Sequence, residues 1–354
     1  MKIISHLIAM AAIAVAVSAH AAGANTAAQA WQSVTNFAPS PPPTSWTTNP
    51  PTQIQIDQFN EQRARELMAL AEKARNFYLH FPADTNALSS RVLELQALQM
   101  AARIGTATNR VNDLVARERA LSQDTNAPME LRYEVRLDLL GRELKGRIDA
   151  GADPNMELEK LGRTMIKEFP AGPAGYELLS QVAESADLAK MKELGDVMAK
   201  SGGPQGLTEM GQGLLRRLAV VGKPFPIAFK TEAGREIDAT TFSNKVVLVD
   251  FWAIWCPVCV QETPRIKAMY DKYHTNGLEV VGINFDDETN QAQQFIKDQE
   301  LPWPQYFGGR ANPYGREYAL NFLPQAWLVD RHGVVQDIHS RVDLEAKIEK
   351  LLAK

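Results

Sequence analysis

The chain has 354 residues, 45% of them apolar and 23% charged, with a formal net charge of -4. This is ordinary globular composition, and the length points to two domains rather than one. The charge excludes the broad basic field that holds nucleic acid or an anionic membrane, and two cysteines cannot form a disulfide framework for a chain of this size.

Residues 1–21 read as a secretory signal peptide. Lys2 precedes an apolar run from Ile3 to Val17, and Ala19-His20-Ala21 fits a small-residue cleavage site. An uncleaved N-terminal anchor is the alternative. Either places the body in a periplasmic or otherwise extracytoplasmic space, where disulfides persist. Cysteine does not follow the site, so lipid anchoring is not indicated. Residues 22–53 are assigned to a Pro-rich linker. Within it, residues 38–52 are dense in proline, which fixes φ and removes backbone donors.

Residues 54–218 carry helical periodicity. Leu67, Leu70, Ala71, Ala74, Phe77 and Tyr78 recur at three- and four-residue steps, as do Leu88, Val92, Leu95 and Ala102, and later Tyr176, Leu179, Val182 and Ala183. Phe81-Pro82 and Phe169-Pro170 each end one helix before another begins, and Gly202-Gly203-Pro204 marks a further turn. The expectation is an all-α domain, repeat-like or bundle-like. It shows no titratable cluster that suggests chemistry, so its expected work is dimerisation or binding a protein partner.

From residue 219 the pattern changes to short β-branched runs alternating with helices. Strands are expected at 245–251, 278–284, 325–330 and 333–338, with helices at 261–273, 290–299 and 343–352. The fold class is therefore multi-domain: an N-terminal helical domain, then an α/β sandwich over 219–354.

Both cysteines fall where the first of these strands gives way to a helix. A helix N-terminus stabilises a thiolate through free N–H groups and the macrodipole. Cys256 sits at that junction, Pro257 suits the first helical position, and Cys259 lies one turn on. The two can reach each other and close a disulfide, with Cys256 as attacking thiol and Cys259 as the more buried resolving thiol. A zinc site would need further ligands, and neither another cysteine nor a nearby histidine supplies them, so no metal and no cofactor beyond the redox-active disulfide is expected.

The stretch Val249-Asp250-Phe251-Trp252-Ala253-Ile254-Trp255-Cys256-Pro257-Val258-Cys259 resembles the active-site segment of thioredoxins. Gly222-Lys223-Pro224-Phe225-Pro226 upstream and Gln261-Glu262-Thr263-Pro264 downstream narrow the resemblance to the extracytoplasmic TlpA/ResA-like branch. It spans about 221–354 and implies a thioredoxin fold acting as a thiol:disulfide oxidoreductase. It further implies that Asp250 is the buried acid that takes a proton from the resolving thiol and that Glu262 is an acid kept near the cysteines. Leu323-Pro324 would be the cis-proline segment that faces the disulfide and pairs with substrate backbone, while Trp255 would flank the thiols and, with Pro257, contact substrate. Pro264 is expected to kink the active-site helix.

Substrates would be protein thiols or disulfides, with a membrane-bound or soluble electron donor. Several positions depart from the pattern. Val258 replaces a common proline, Gln325 follows Pro324 where threonine is commoner, and the Gly-rich signature before the cis-proline is missing from Ala319–Leu323. Gly282 stands near the place of the thioredoxin lysine. Reduction is the first reading. A disulfide oxidase or isomerase using the same dithiol, or a helical scaffold with an accessory thioredoxin-like domain, are the alternatives.

Overall fold

A computed structural model describes residues 24–105, 108–231, 234–238 and 240–354. The expected signal peptide, 1–21, lies outside them. Among the described residues no helix is long and apolar enough to cross a membrane. The chain divides into two compact units, Met1–Leu139 and Leu140–Lys354.

The first unit is helical: α1 (Ala24–Thr35), α2 (Gln53–His80), α3 (Ala87–Ile104), α4 (Thr108–Gln123) and the first half of α5 (Met129–Asp149). Thr52 opens α2 with a reciprocal capping box to Gln55. The predicted stripe Leu67, Leu70, Ala71, Ala74 and Phe77 is buried and packs with Leu98 and Ala101 of α3. The segment 22–53, expected as linker, is partly ordered. Ala24–Thr35 is helical, and Trp31 and Val34, three apart, enter the same core. The Pro-rich run is tethered to α2, with Ser40 N–H and Oγ both donating to the Glu66 carboxylate at 2.8 and 2.7 Å.

The second unit begins with the rest of α5 and then α6 (Pro154–Glu168), α7 (Ala174–Ala183), α8 (Leu188–Ala199) and α9 (Gln205–Ala219). A small hairpin follows, β1 (Phe229–Lys230) with β2 (Glu236–Ile237). Then come β3 (Val246–Trp252), α10 (Pro257–Tyr273), β4 (Leu278–Asn284), α11 (Thr289–Asp298), β5 (Gln305–Phe307), α12 (Pro313–Glu317), β6 (Gln325–Val329), β7 (Val335–Asp337) and α13 (Leu344–Leu352). The sheet order is β5-β4-β3-β6-β7. β3, β4 and β5 run parallel, whereas β6 and β7 are antiparallel additions. A βαβ half followed by a ββα half is the thioredoxin fold. Residues 222–225 bond along β7, with Gly222 N–H to Val335 O at 2.8 Å, and cover that edge.

β3 and β4 are buried on both faces, as their unbroken apolar runs require. Val246, Leu248, Leu278 and Val280 meet Ile266, Met269, Ile348 and Leu351 from α10 and α13. Val247, Val249, Phe251, Val281 and Ile283 belong to a second core. That second core runs without a break into Tyr176, Leu179, Met191, Leu194 and Leu214 of α7 to α9. The helical text of 54–218 is thus shared between the two units. Periodicity shows which face of a helix is buried, but not which core receives it. The sequence reading also missed β5 and α12, three and five residues long. Pro264 lies inside α10, which continues past it to Tyr273.

Candidate active site

The redox site is built where β3 ends. Cys256 is the N-cap of α10, and Pro257 holds its first position, where a missing N–H costs nothing. Cys256 and Cys259 are joined in a disulfide with Cα atoms 5.3 Å apart. The Cys256 sulfur also accepts the backbone N–H of Cys259 at 3.2 Å. On reduction that donor and the helix dipole favour the Cys256 thiolate. The residues are 6% and 3% exposed. Cys256 is the more accessible, but by a small margin. The exposed rim is instead formed by Trp255 at 48%, Val258 at 47%, and Pro257. Arg310 lies over the Trp255 ring, 5.2 Å from its centroid.

The turn before Cys256 is pinned from the loop that follows β4. The Asp286 carboxylate accepts the Ile254 N–H at 2.9 Å and an amide hydrogen of Asn284 at 2.7 Å. The Trp255 indole donates to Phe285 O at 3.3 Å. Asp286 was not anticipated, because its partners depend on the β3–β4 register.

Asp250 points into the α10 side of the sheet. Burial pushes its carboxyl up to about 7, the neighbouring Glu262 charge adds to the rise, and Arg341 opposes it. Asp250, Glu262, Arg265, Ala326 and Arg341 line a cavity of about 10 Å³, at the lower edge of what holds one water. Glu262 is one turn from Cys259 on α10. Asp250 pairs in register with Gly282, the residue near the place of the thioredoxin lysine. A Cβ at 282 would lie 1.8 Å from Gln305 Oε1, so the space above Gly282 is filled by Gln305, which accepts the Trp252 indole N–H at 3.0 Å.

The Leu323-Pro324 peptide bond is cis. Gln325 pairs with Phe251 at the end of β3, so Pro324 lies one position beyond that pair. Arg341 links this segment to the active-site helix. Its Nε and Nη2 donate to Glu262 at 3.1 and 2.5 Å, and its Nη1 donates to Pro324 O at 3.4 Å. The structure therefore gathers Asp250, Glu262 and Pro324 around Arg341, a residue with no local motif to mark it.

The segment that holds this site is similar to known proteins. Residues 220–352 match the Redoxin family model. A 136-residue stretch is 29% identical to the thiol-disulfide oxidoreductase ResA of Bacillus thuringiensis subsp. konkukian, covering 38% of this chain and 78% of that protein. Another, of 118 residues, is 30% identical to the thiol:disulfide interchange protein HelX of Rhodobacter capsulatus, covering 32% and 65%. A crystal structure of a putative thiol:disulfide interchange protein DsbE from Chlorobium tepidum is similar over 38% of this chain and 96% of that one, with 30% identity and a TM-score of 0.33.

Proposed function

With residues 220–352 a Redoxin domain of the thioredoxin fold, we propose that the protein is an exported thiol:disulfide oxidoreductase that reduces protein disulfides. The observation that carries this is the Cys256–Cys259 disulfide at the N-terminus of α10, with the Cys256 sulfur as helix cap. In the reduced protein, the Cys256 thiolate attacks one sulfur of a target disulfide lying against Leu323-Pro324. A Cys256–target disulfide forms, and the second target sulfur leaves and takes up a proton. Cys259 gives its proton to the Asp250 carboxylate and attacks the Cys256 sulfur. The Cys256–Cys259 disulfide closes, and the first target sulfur leaves as a thiolate. Two electrons pass to the target. Asp250, with a pKa of about 7, is well matched to take that proton near neutrality.

Trp255 and Pro257 supply the rim against which the target lies. A membrane-bound or soluble donor returns the electrons. Export rests on the signal-like segment 1–21, and the helical region of the first unit is read as a surface for a protein partner. The test is a mixed-disulfide trap. The Cys259→Ser protein should accumulate a covalent adduct with a disulfide-bridged peptide, whereas Cys256→Ser should not. Absence of adduct with Cys259→Ser would refute the mechanism.

A further inference from the structure

Gln325 is the residue that directly follows the cis-proline, and its side chain does not point to solvent. Its Nε2 donates to Phe322 O at 3.3 Å and to Glu184 Oε2 at 2.5 Å. One amide nitrogen thus spans Leu323-Pro324 and ties the segment to the end of α7, where Glu184 is the C-cap. The same carboxylate receives a fork from Arg217 of α9: Nη2 to Oε1 at 2.7 Å and Nη1 to Oε2 at 3.3 Å. The Arg217 side chain is 0% exposed, and its Nε has no acceptor among the described residues.

A buried, incompletely satisfied ion pair is a poor device for stability alone, because apolar side chains of similar volume do as well or better. What it does supply is one fixed arrangement. Further contacts run from α9 to the chain that leads into the cis-proline. Arg216 Nε donates to Glu317 O at 2.8 Å. A Cβ at Gly213 would lie 2.8 Å from the Ala319 Cβ, so α9 presses on that loop with no side chain between them.

We propose that Glu184 and Arg217 are positioning residues for substrate binding: through Gln325 they fix the Leu323-Pro324 segment on which a polypeptide disulfide lies. The proposal rests on the reductase reading above and deepens it. α7 and α9 then belong to the redox site, and the carboxylate of Glu184 acts on substrates that have a backbone to pair.

The experiment uses the full-length reduced protein. Single-turnover oxidation of the reduced dithiol is followed against the concentration of a synthetic disulfide-bridged peptide carrying extended flanks, and of bis(2-hydroxyethyl) disulfide, which has no backbone; the limiting rate is read as kcat and the half-saturating concentration as KM. Glu184→Gln is expected to raise KM for the peptide about tenfold with kcat unchanged, and to leave the rate with the small disulfide within twofold. Gln325→Ala, which keeps the Glu184–Arg217 pair, is expected to raise the peptide KM by a similar factor, and the double variant no further. This second variant decides the matter if Glu184→Gln folds poorly. A folded variant with wild-type peptide KM, or equal slowing on both substrates, overturns the proposal. Failure of the wild-type protein to reduce the peptide is a failure of the reductase reading instead. The same KM comparison is then made with oxidised protein and reduced peptide.

Discussion

The two sides of the redox site are held by different kinds of force. On one side, Asp250, Cys256, Cys259 and Glu262 sit within thirteen consecutive residues, placed by one strand, one turn and one helix. On the other, Leu323-Pro324 lies in a loop, held by Arg341 from one flank and by Gln325, Glu184 and Arg217 from the other. In the proposed mechanism the first side carries the chemistry, and the second presents the substrate to it. On that mechanism, backbone geometry and burial are what make the dithiol reactive. Presenting a substrate needs side chains from elements that meet only when the fold is complete.

That contrast can be broken most severely at the dithiol. Cys256→Ala should abolish disulfide exchange with any substrate, large or small, read as loss of thiol release in a stopped-flow assay. Residual turnover above background would place the chemistry elsewhere.

Asp250→Asn is next. Without the acceptor for the Cys259 proton, release of the mixed disulfide should slow about 100-fold at pH 8, a size typical of general base loss. Stability should move the other way. The native carboxyl titrates at about 7, above the unfolded value of about 3.9. The native state therefore holds a proton that the unfolded state has lost, and native stability falls as pH rises from about 4 to about 7. The asparagine variant escapes that loss. By urea unfolding of the oxidised protein it should gain up to roughly 4 kcal/mol at pH 8, taking about three pKa units at about 1.36 kcal/mol each, and nothing at pH 4. Equal stability at both pH values would contradict a buried, raised acid.

A change on the presenting side is smaller. Gly213→Val forces α9 off Ala319 and should cost about 1–3 kcal/mol by overpacking. It should also raise the peptide KM without altering small-disulfide exchange.

The finest test is the sign of two shifts. Glu262 raises the Asp250 pKa and Arg341 lowers it. Glu262→Gln should therefore move the pH midpoint of mixed-disulfide resolution down, and Arg341→Gln should move it up, each by about half a unit or less for charges that face water in part. Shifts of the same sign would mean that Asp250 does not set the midpoint.

The same contrast explains what could be read from sequence. The strands at 278–284 and 325–330 and the helix at 343–352 were legible, because a run of apolar residues bounded by turns needs no tertiary knowledge. So was the Cys256–Cys259 pair, through Pro257 and the strand that ends before it. The cis bond at Pro324 follows from the resemblance, and Gln325 stands out in the sequence only as an unusual successor to it. Arg341 reaches Glu262 across 79 residues, Arg217 reaches Glu184 across 33, and Gln325 reaches Glu184 across 141. Such pairings leave no periodicity and no motif. β5, with three residues, is a strand only because β4 lies beside it. The place of α6 to α9 was hidden for a related reason, since Leu179 and Leu214 look the same in sequence whichever core receives them.

The central claim is that the Cys256–Cys259 pair is a reducing dithiol, and its reduction potential tests this most directly. The protein would be equilibrated against dithiothreitol or glutathione buffers and its thiol fraction read. The account predicts a value near or below about -250 mV, in the range of thioredoxin. A value of about -120 to -180 mV, in the range of disulfide-forming and isomerising proteins, would contradict it and make the protein an oxidant or isomerase.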